Sequence, residues 1–182
     1  MPPEENGRTL GEAVSRLAGS MVKLDPGPLA RLRRMDPAGP GEGDFWRLAV
    51  QHELRTDDKG LLFVRLLALL TPKGDPGAHK KLHDRDRPLG AALCEAGYPE
   101  TRLLDFLALP EERRGEALER MARWLAAKGH GGVDCVHIAR LLFFDSARDA
   151  RHLAETYYRA QDKAQNAPHM QTEPDLSEDE AA

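Results

Sequence analysis

The densest chemistry in the chain is a run of cations, Arg31, Arg33 and Arg34, set in the stretch Asp25-Pro-Gly-Pro-Leu-Ala-Arg-Leu-Arg-Arg34. A guanidinium is always charged, and its planar fork of donors matches a phosphate or carboxylate with paired hydrogen bonds. Pro28 suits the first position of a helix, because its φ is fixed there and its missing N–H costs nothing. Leu29 and Leu32 lie three apart and form a peg that anchors the helix to a core. Arg33 and Arg34 then point away from the peg. Such a turn fixes positive charge in space; the plainer alternative is a solvated helix face. Further cations recur at Lys59, Lys80 and Lys81, Arg102, Arg113 and Arg114, Arg120 and Arg123, Arg140, and Arg148 and Arg151. Aromatic residues do not interleave with them, which argues against a base-stacking platform.

Other chemistries find little support. There is no Gly-x-x-x-x-Gly-Lys-Ser/Thr loop and no Gly-x-Gly-x-x-Gly. His52-Glu53 lacks a second histidine, since position 56 is Thr. His79 and His83 are four apart and could share a metal with Asp84 or Asp86, but Lys80 and Lys81 would repel it. None of Ser15, Ser20, Ser146 and Ser177 sits in a nucleophile elbow. Asp57-Asp58 and Glu111-Glu112 fall at expected helix starts, where carboxylates serve caps and the macrodipole. Cys94 and Cys135 lie in apolar surroundings and read as small buried residues. The expectation is a protein with no cofactor, no metal and no catalytic activity.

The elements that must carry the cations are helical. β-branched residues are scarce, and no stretch alternates like a half-buried strand. The first helix is expected over 10–24, opened by a Thr9/Glu12 capping box. The Pro28 helix follows, then one capped by Asp44 that carries Phe45, Trp46, Leu48 and Ala49. The span 58–70 is apolar over most of its surface and reads as a central buried helix. Residues 73–87 dissolve into Gly, Pro, His and charge, a basic loop. Further helices are expected at 89–96, 100–107 and 110–128, then a helix capped by Asp134 through Phe144, and last 147–160. Gly97 and Gly129 read as helix stops. The reading is an all-α protein of two small bundles, about eight or nine helices in all. The N-terminal lobe is 1–72, the linker 73–87 and the C-terminal lobe 88–160, followed by a disordered acidic tail, 161–182.

The net charge is −4. The tail holds six acids against Lys163, or −5, so the body carries about +1. The N-terminus lacks the apolar run of a signal peptide, and no apolar run is long enough to span a membrane. The expectation is a cytoplasmic protein without a membrane partner.

At three places the order of residues is informative. One is Pro-Gly-Pro-Leu-Ala-Arg-Leu-Arg-Arg-Met followed by Phe45-Trp46-Arg47-Leu48. Another is Leu89-Gly90-Ala91-Ala92-Leu93 followed by Glu100-Thr101-Arg102-Leu103-Leu104. The last runs from Val133-Asp134-Cys135 through Ala139-Arg140-Leu141-Leu142-Phe143-Phe144 to Tyr157-Tyr158-Arg159. In order and spacing, over roughly residues 9 to 160, these resemble the small subunit of the type I-E CRISPR surveillance complex Cascade, the CasB family. Cys135 stands where that family often has Trp, and Asp145 softens a region that is often more basic.

The resemblance implies a non-catalytic, all-helical subunit. In the family two copies lie head to tail in the crRNA-guided complex, beside its repeated backbone subunits. The implied partners are crRNA, both strands of the target DNA, a second copy of the chain, and the backbone, large and end subunits. The implied role is to hold the crRNA–target heteroduplex and the displaced strand of the R-loop. Carried over by motif, the backbone-binding residues are Arg33, Arg34, Arg102, Arg123, Arg140 and Arg148. Lys59, Lys80 and Lys81 follow by neighbourhood, and Arg31 reads as structural. The competing reading is a helical protein–protein scaffold whose arginines form ion pairs and touch no nucleic acid.

Overall fold

The computed structural model describes residues 3–72, 81–129, 131–144 and 146–166, with side chains from Leu10 onward. Among these residues the chain is all-α: α1 Pro3–Met21, α2 Pro26–Arg34, α3 Gly43–His52, α4 Asp58–Leu70, α5 Leu89–Glu95, α6 Glu100–Ala108, α7 Glu111–Lys128, α8 Cys135–Phe143 and α9 Ala147–Gln165. None of these helices is long and apolar enough to cross a membrane.

α4 is the central helix. Leu61, Phe63, Val64, Leu66, Leu67, Ala68 and Leu70 are all buried, against α2, α7, α8 and α1. Each such side chain, taken from water, contributes about 1.5–3 kcal/mol. The helix starts on a real cap, with Asp57 Oδ1 accepting from the Gly60 N–H at 2.9 Å. Leu29 and Leu32 of α2 are buried as the peg requires, and Met35 joins them. The apolar faces of the N-terminal and C-terminal helices meet in one continuous cluster that runs from Val14 to Tyr157.

α5 and α9 form the closest helix pair. A Cβ on Gly90 would lie 2.2 Å from the Leu153 carbonyl oxygen and 2.4 Å from Thr156 Oγ1, so only glycine permits this approach. Two tyrosines of α9 fasten the pair: Tyr157 donates to the Tyr98 carbonyl at 2.7 Å and Tyr158 to Glu100 Oε1 at 2.8 Å. Gly97 and Gly129 both take the left-handed conformation expected of helix stops.

The boundaries differ from expectation in three places. α1 begins at Pro3, so the Thr9/Glu12 pair lies inside a helix and caps nothing. α3 is preceded by Glu42 rather than capped by Asp44, whose carboxylate is buried against arginines instead. α9 continues to Gln165, past the expected stop at Ala160. Of the basic loop, Lys80 and the rest of 73–80 lie outside the described residues, as does the tail from 167 onward. Residues 81–87 are irregular but tethered. Leu82 is buried, its carbonyl accepts from the Val133 N–H at 3.1 Å, and the Asp84 N–H donates to the Val133 carbonyl at 3.0 Å.

Candidate nucleic-acid interface

The arginine turn divides its cations between the interior and the solvent. Arg31 donates through Nε to Asp44 Oδ2 at 2.7 Å, and Arg47 donates to the other oxygen at 3.2 Å. Asp44 is buried, so this pairing is what lets α3 hold a carboxylate against α2. Arg33 turns inward: Nε donates to the Ala68 carbonyl at 2.8 Å and Nη2 to the Thr71 carbonyl at 3.0 Å. These are end-of-helix acceptors of α4, and a cation there also opposes the helix dipole. Burial draws the Arg33 pKa below its usual value. Arg34 is exposed and has no partner among the described residues.

The other expected site residues divide in the same way. Lys59 Nζ donates to Glu111 Oε1 at 2.7 Å and ties α4 to α7. It borders a groove of about 430 Å³ that also carries Asp36, Asp58, Glu112, Glu116 and Glu119, a setting that repels phosphate. Arg123 donates to Glu119, which Arg65 of α4 also holds. Arg102 lies with its guanidinium carbon 5.5 Å from the centre of the Trp124 ring, in a cation–π arrangement. Arg140 donates through Nε to Asp149 Oδ1 at 2.7 Å. Arg148 is exposed; its backbone N–H bonds the Ser146 cap, and its guanidinium has no partner among the described residues. Lys81 is likewise exposed and unpaired among those residues.

The structure brings Arg140 and Arg148 together, with Arg151, along an open groove of about 570 Å³ between α8 and the first half of α9. Arg34, Lys59, Arg102 and Arg123 lie elsewhere. The groove also holds a pair of residues that the sequence reading passed over. The rings of His137 and His152 stack at 4.9 Å. His137 is 3% exposed, and its Nε2 lies 3.0 Å from the Asp149 carbonyl oxygen. A carbonyl can only accept, so Nε2 carries the proton and Nδ1 is a bare acceptor. Burial holds the His137 pKa below its usual value, and the neighbouring His152 adds to this. The one sequence signal was a histidine on each of two helices joined by a tight connection.

His83 is structural: its Nδ1 accepts from the Cys135 N–H at 3.1 Å and so fastens the 81–87 segment to the start of α8. Its expected metal partner His79 lies outside the described residues. Among those described, no three His, Cys, Asp or Glu side chains are placed to hold a metal ion. Burial pushes the thiols of Cys94 and Cys135 up, so neither is an activated nucleophile.

An all-helical module that spends part of its arginines on its own fold and leaves others unpaired is the class that these features define. No protein-family model matches the chain, and no curated protein matches it in sequence. Solved structures do. One chain of E. coli Cascade bound to a PAM-containing dsDNA target superposes with a TM-score of 0.63 at 21% identity, covering 82% of this chain and 97% of that one. CasB from Thermobifida fusca superposes with a TM-score of 0.54 at 16% identity, covering 85% of this chain and 96% of that one. At these identities the fold is what is shared, and it is shared over almost the whole of each neighbour.

Proposed function

We propose that this chain is the non-catalytic small subunit of a crRNA-guided, type I-E Cascade complex of the cytoplasm. Its task is to hold nucleic-acid backbone and so stabilise the crRNA–target heteroduplex and the displaced strand. The observation that carries this reading is the fold shared with a chain of DNA-bound Cascade over 97% of that chain's length. The physics supports it. Opening a duplex against a guide is nearly balanced in free energy, so modest backbone contacts tip it. Contacts that serve every target must ignore sequence, which selects Arg and Lys on phosphate. Arg34, Lys81, Arg102 and Arg148 keep their donors outward and make the primary contacts. Lys80 adds to Lys81. Arg33, Lys59, Arg123 and Arg140 hold protein acceptors first and reach phosphate only through their remaining N–H groups. The partners are crRNA, both target strands, a second copy of the chain, and the backbone, large and end subunits.

One observation favours a second reading, a scaffold without nucleic-acid contacts: Arg31, Arg33, Arg65, Arg123 and Arg140 all bond protein acceptors. Charge reversal of Arg34 and Arg148 separates the two. The proposed function expects the double variant to assemble with the other Cascade subunits and to form R-loops that dissociate faster and lose salt dependence. Wild-type R-loop lifetime in the variant overturns it, and loss of assembly supports the scaffold.

A further inference from the structure

The α8–α9 groove offers more than donors for phosphate. Arg148 and Arg151 are exposed and unpaired among the described residues, beside the start of α9, where the helix dipole adds positive potential. Two other groove-lining side chains present the opposite need. His137 Nδ1 and Asp149 Oδ2 are both buried acceptors with no hydrogen-bond partner. Asp149 is 5% exposed and His137 3%, so each orphan acceptor costs about 1–3 kcal/mol until a donor reaches it. A DNA backbone brings acceptors only. An acidic peptide brings both complements, carboxylates for the guanidiniums and backbone N–H groups for the orphan acceptors.

The chain carries such a peptide. Sixteen residues follow Asn166, with five acids (Glu173, Asp175, Glu178, Asp179 and Glu180) and no Lys or Arg. From Gln165 back to Arg148 along α9 is about 26 Å at the helical rise. The residues from Asn166 to Glu178 can span about 40 Å when extended, so the acidic run reaches Arg148 and Arg151 with slack. The shared fold also closes without this much sequence, since 82% of this chain covers 97% of the Cascade chain.

We propose that the acidic C-terminal segment, 167–182, docks in the α8–α9 groove of its own chain and competes there with nucleic-acid phosphate. The docking rests on the groove and the tail alone; the competition rests on the function proposed above.

The test uses the full chain with E173Q, D175N, E178Q, D179N and E180Q together. Arginine Nε–Hε NMR signals of Arg148 and Arg151 should shift between wild type and this variant, independently of protein concentration. Affinity for a short oligo-dT should rise about tenfold at about 50 mM salt and differ less than about twofold at 300 mM, because screening removes both competitors. In an R148Q/R151Q background the tail variant should gain nothing. Unchanged arginine signals overturn the docking. A shift that grows with protein concentration also overturns it, since the occupant is then the tail of a second copy. A shift with unchanged oligo-dT affinity refutes competition and leaves docking standing. A shift with no oligo-dT binding by any variant refutes the proposed function and leaves docking standing.

Discussion

Arg33 and Arg34 are adjacent and alike in the sequence, yet the structure gives them separate work, and separate substitutions should reveal it. Arg33→Gln removes a guanidinium that donates to the Ala68 and Thr71 carbonyls at 2.8 and 3.0 Å. Each hydrogen bond from a charged donor is worth about 1.5–3 kcal/mol when half-buried acceptors are left without it. Water can reach part of this site, so the low end applies to each bond, and the expected loss is about 2–3 kcal/mol in total. Arg34→Gln removes an exposed side chain with no partner among the described residues, and stability should stay within about 0.5 kcal/mol of wild type. Urea unfolding followed by circular dichroism gives both numbers, with an unchanged slope as the check on two-state behaviour. In binding, the order reverses. Arg34→Gln should lower the slope of log affinity against log salt by about one phosphate contact. A stable Arg33→Gln protein that has lost nucleic-acid binding would refute the argument, because the side chain would then be spending its donors outside the fold.

Other consequences follow from the packing and the buried groups. Gly90→Ala places a methyl 2.2 Å from the Leu153 carbonyl oxygen, and the forced separation of α5 and α9 should cost about 3 kcal/mol in the same urea assay. His137 is held neutral by burial, so the unfolded chain binds more protons than the folded one once pH falls toward the ordinary histidine pKa. Stability should therefore decrease from pH 7.5 to 5.5, and His137→Gln should flatten that dependence, read as the melting temperature at each pH. His52, whose pKa burial also lowers, contributes in the same direction and leaves a residual slope. A thiol-specific reagent should leave Cys135, which is fully buried with its pKa pushed up, unmodified until urea unfolds the protein. Cys94, partly exposed, should react slowly in the native state.

The helices were legible because their signals are local. Apolar residues recur with helical period from Leu61 to Leu70, Gly97 and Gly129 stop helices, and Asp134 caps α8 by accepting from the Val136 N–H. The peg of Leu29 and Leu32 could be read from spacing alone. What failed were roles that depend on a partner distant in sequence. Asp44 reads as a cap from its place ahead of a helix, but its carboxylate is bound by Arg31, thirteen residues away. Leu82 sits among charges and looks like a loop residue, yet the Val133 segment supplies it with a buried seat. The fate of Arg33 depended on where the last turn of α4 would lie. The His137–His152 pair required knowing that α8 and α9 fold back on one another.

That division of charge bears on how a body with a net charge of about +1 could hold a polyanion. Net charge counts every cation equally, but a phosphate meets only those whose donors are free. Arg31, Arg33, Arg65 and Arg140 each hold an acceptor that the fold would otherwise leave in a poorly solvated place. Removing such a residue damages the scaffold that aims the remaining cations, so loss of binding on substitution does not identify a contact. Arg34, Lys81 and Arg148 satisfy no acceptor among the described residues, and holding them outward costs the fold little. A weak, sequence-indifferent grip on a nearly balanced R-loop needs only a few such groups, because each released counterion contributes and a tenfold change in affinity corresponds to about 1.4 kcal/mol. The exposed cations therefore set binding and its salt dependence, while the paired ones set stability. A substitution that moves both at once marks a side chain that the structure places on the wrong side of that line.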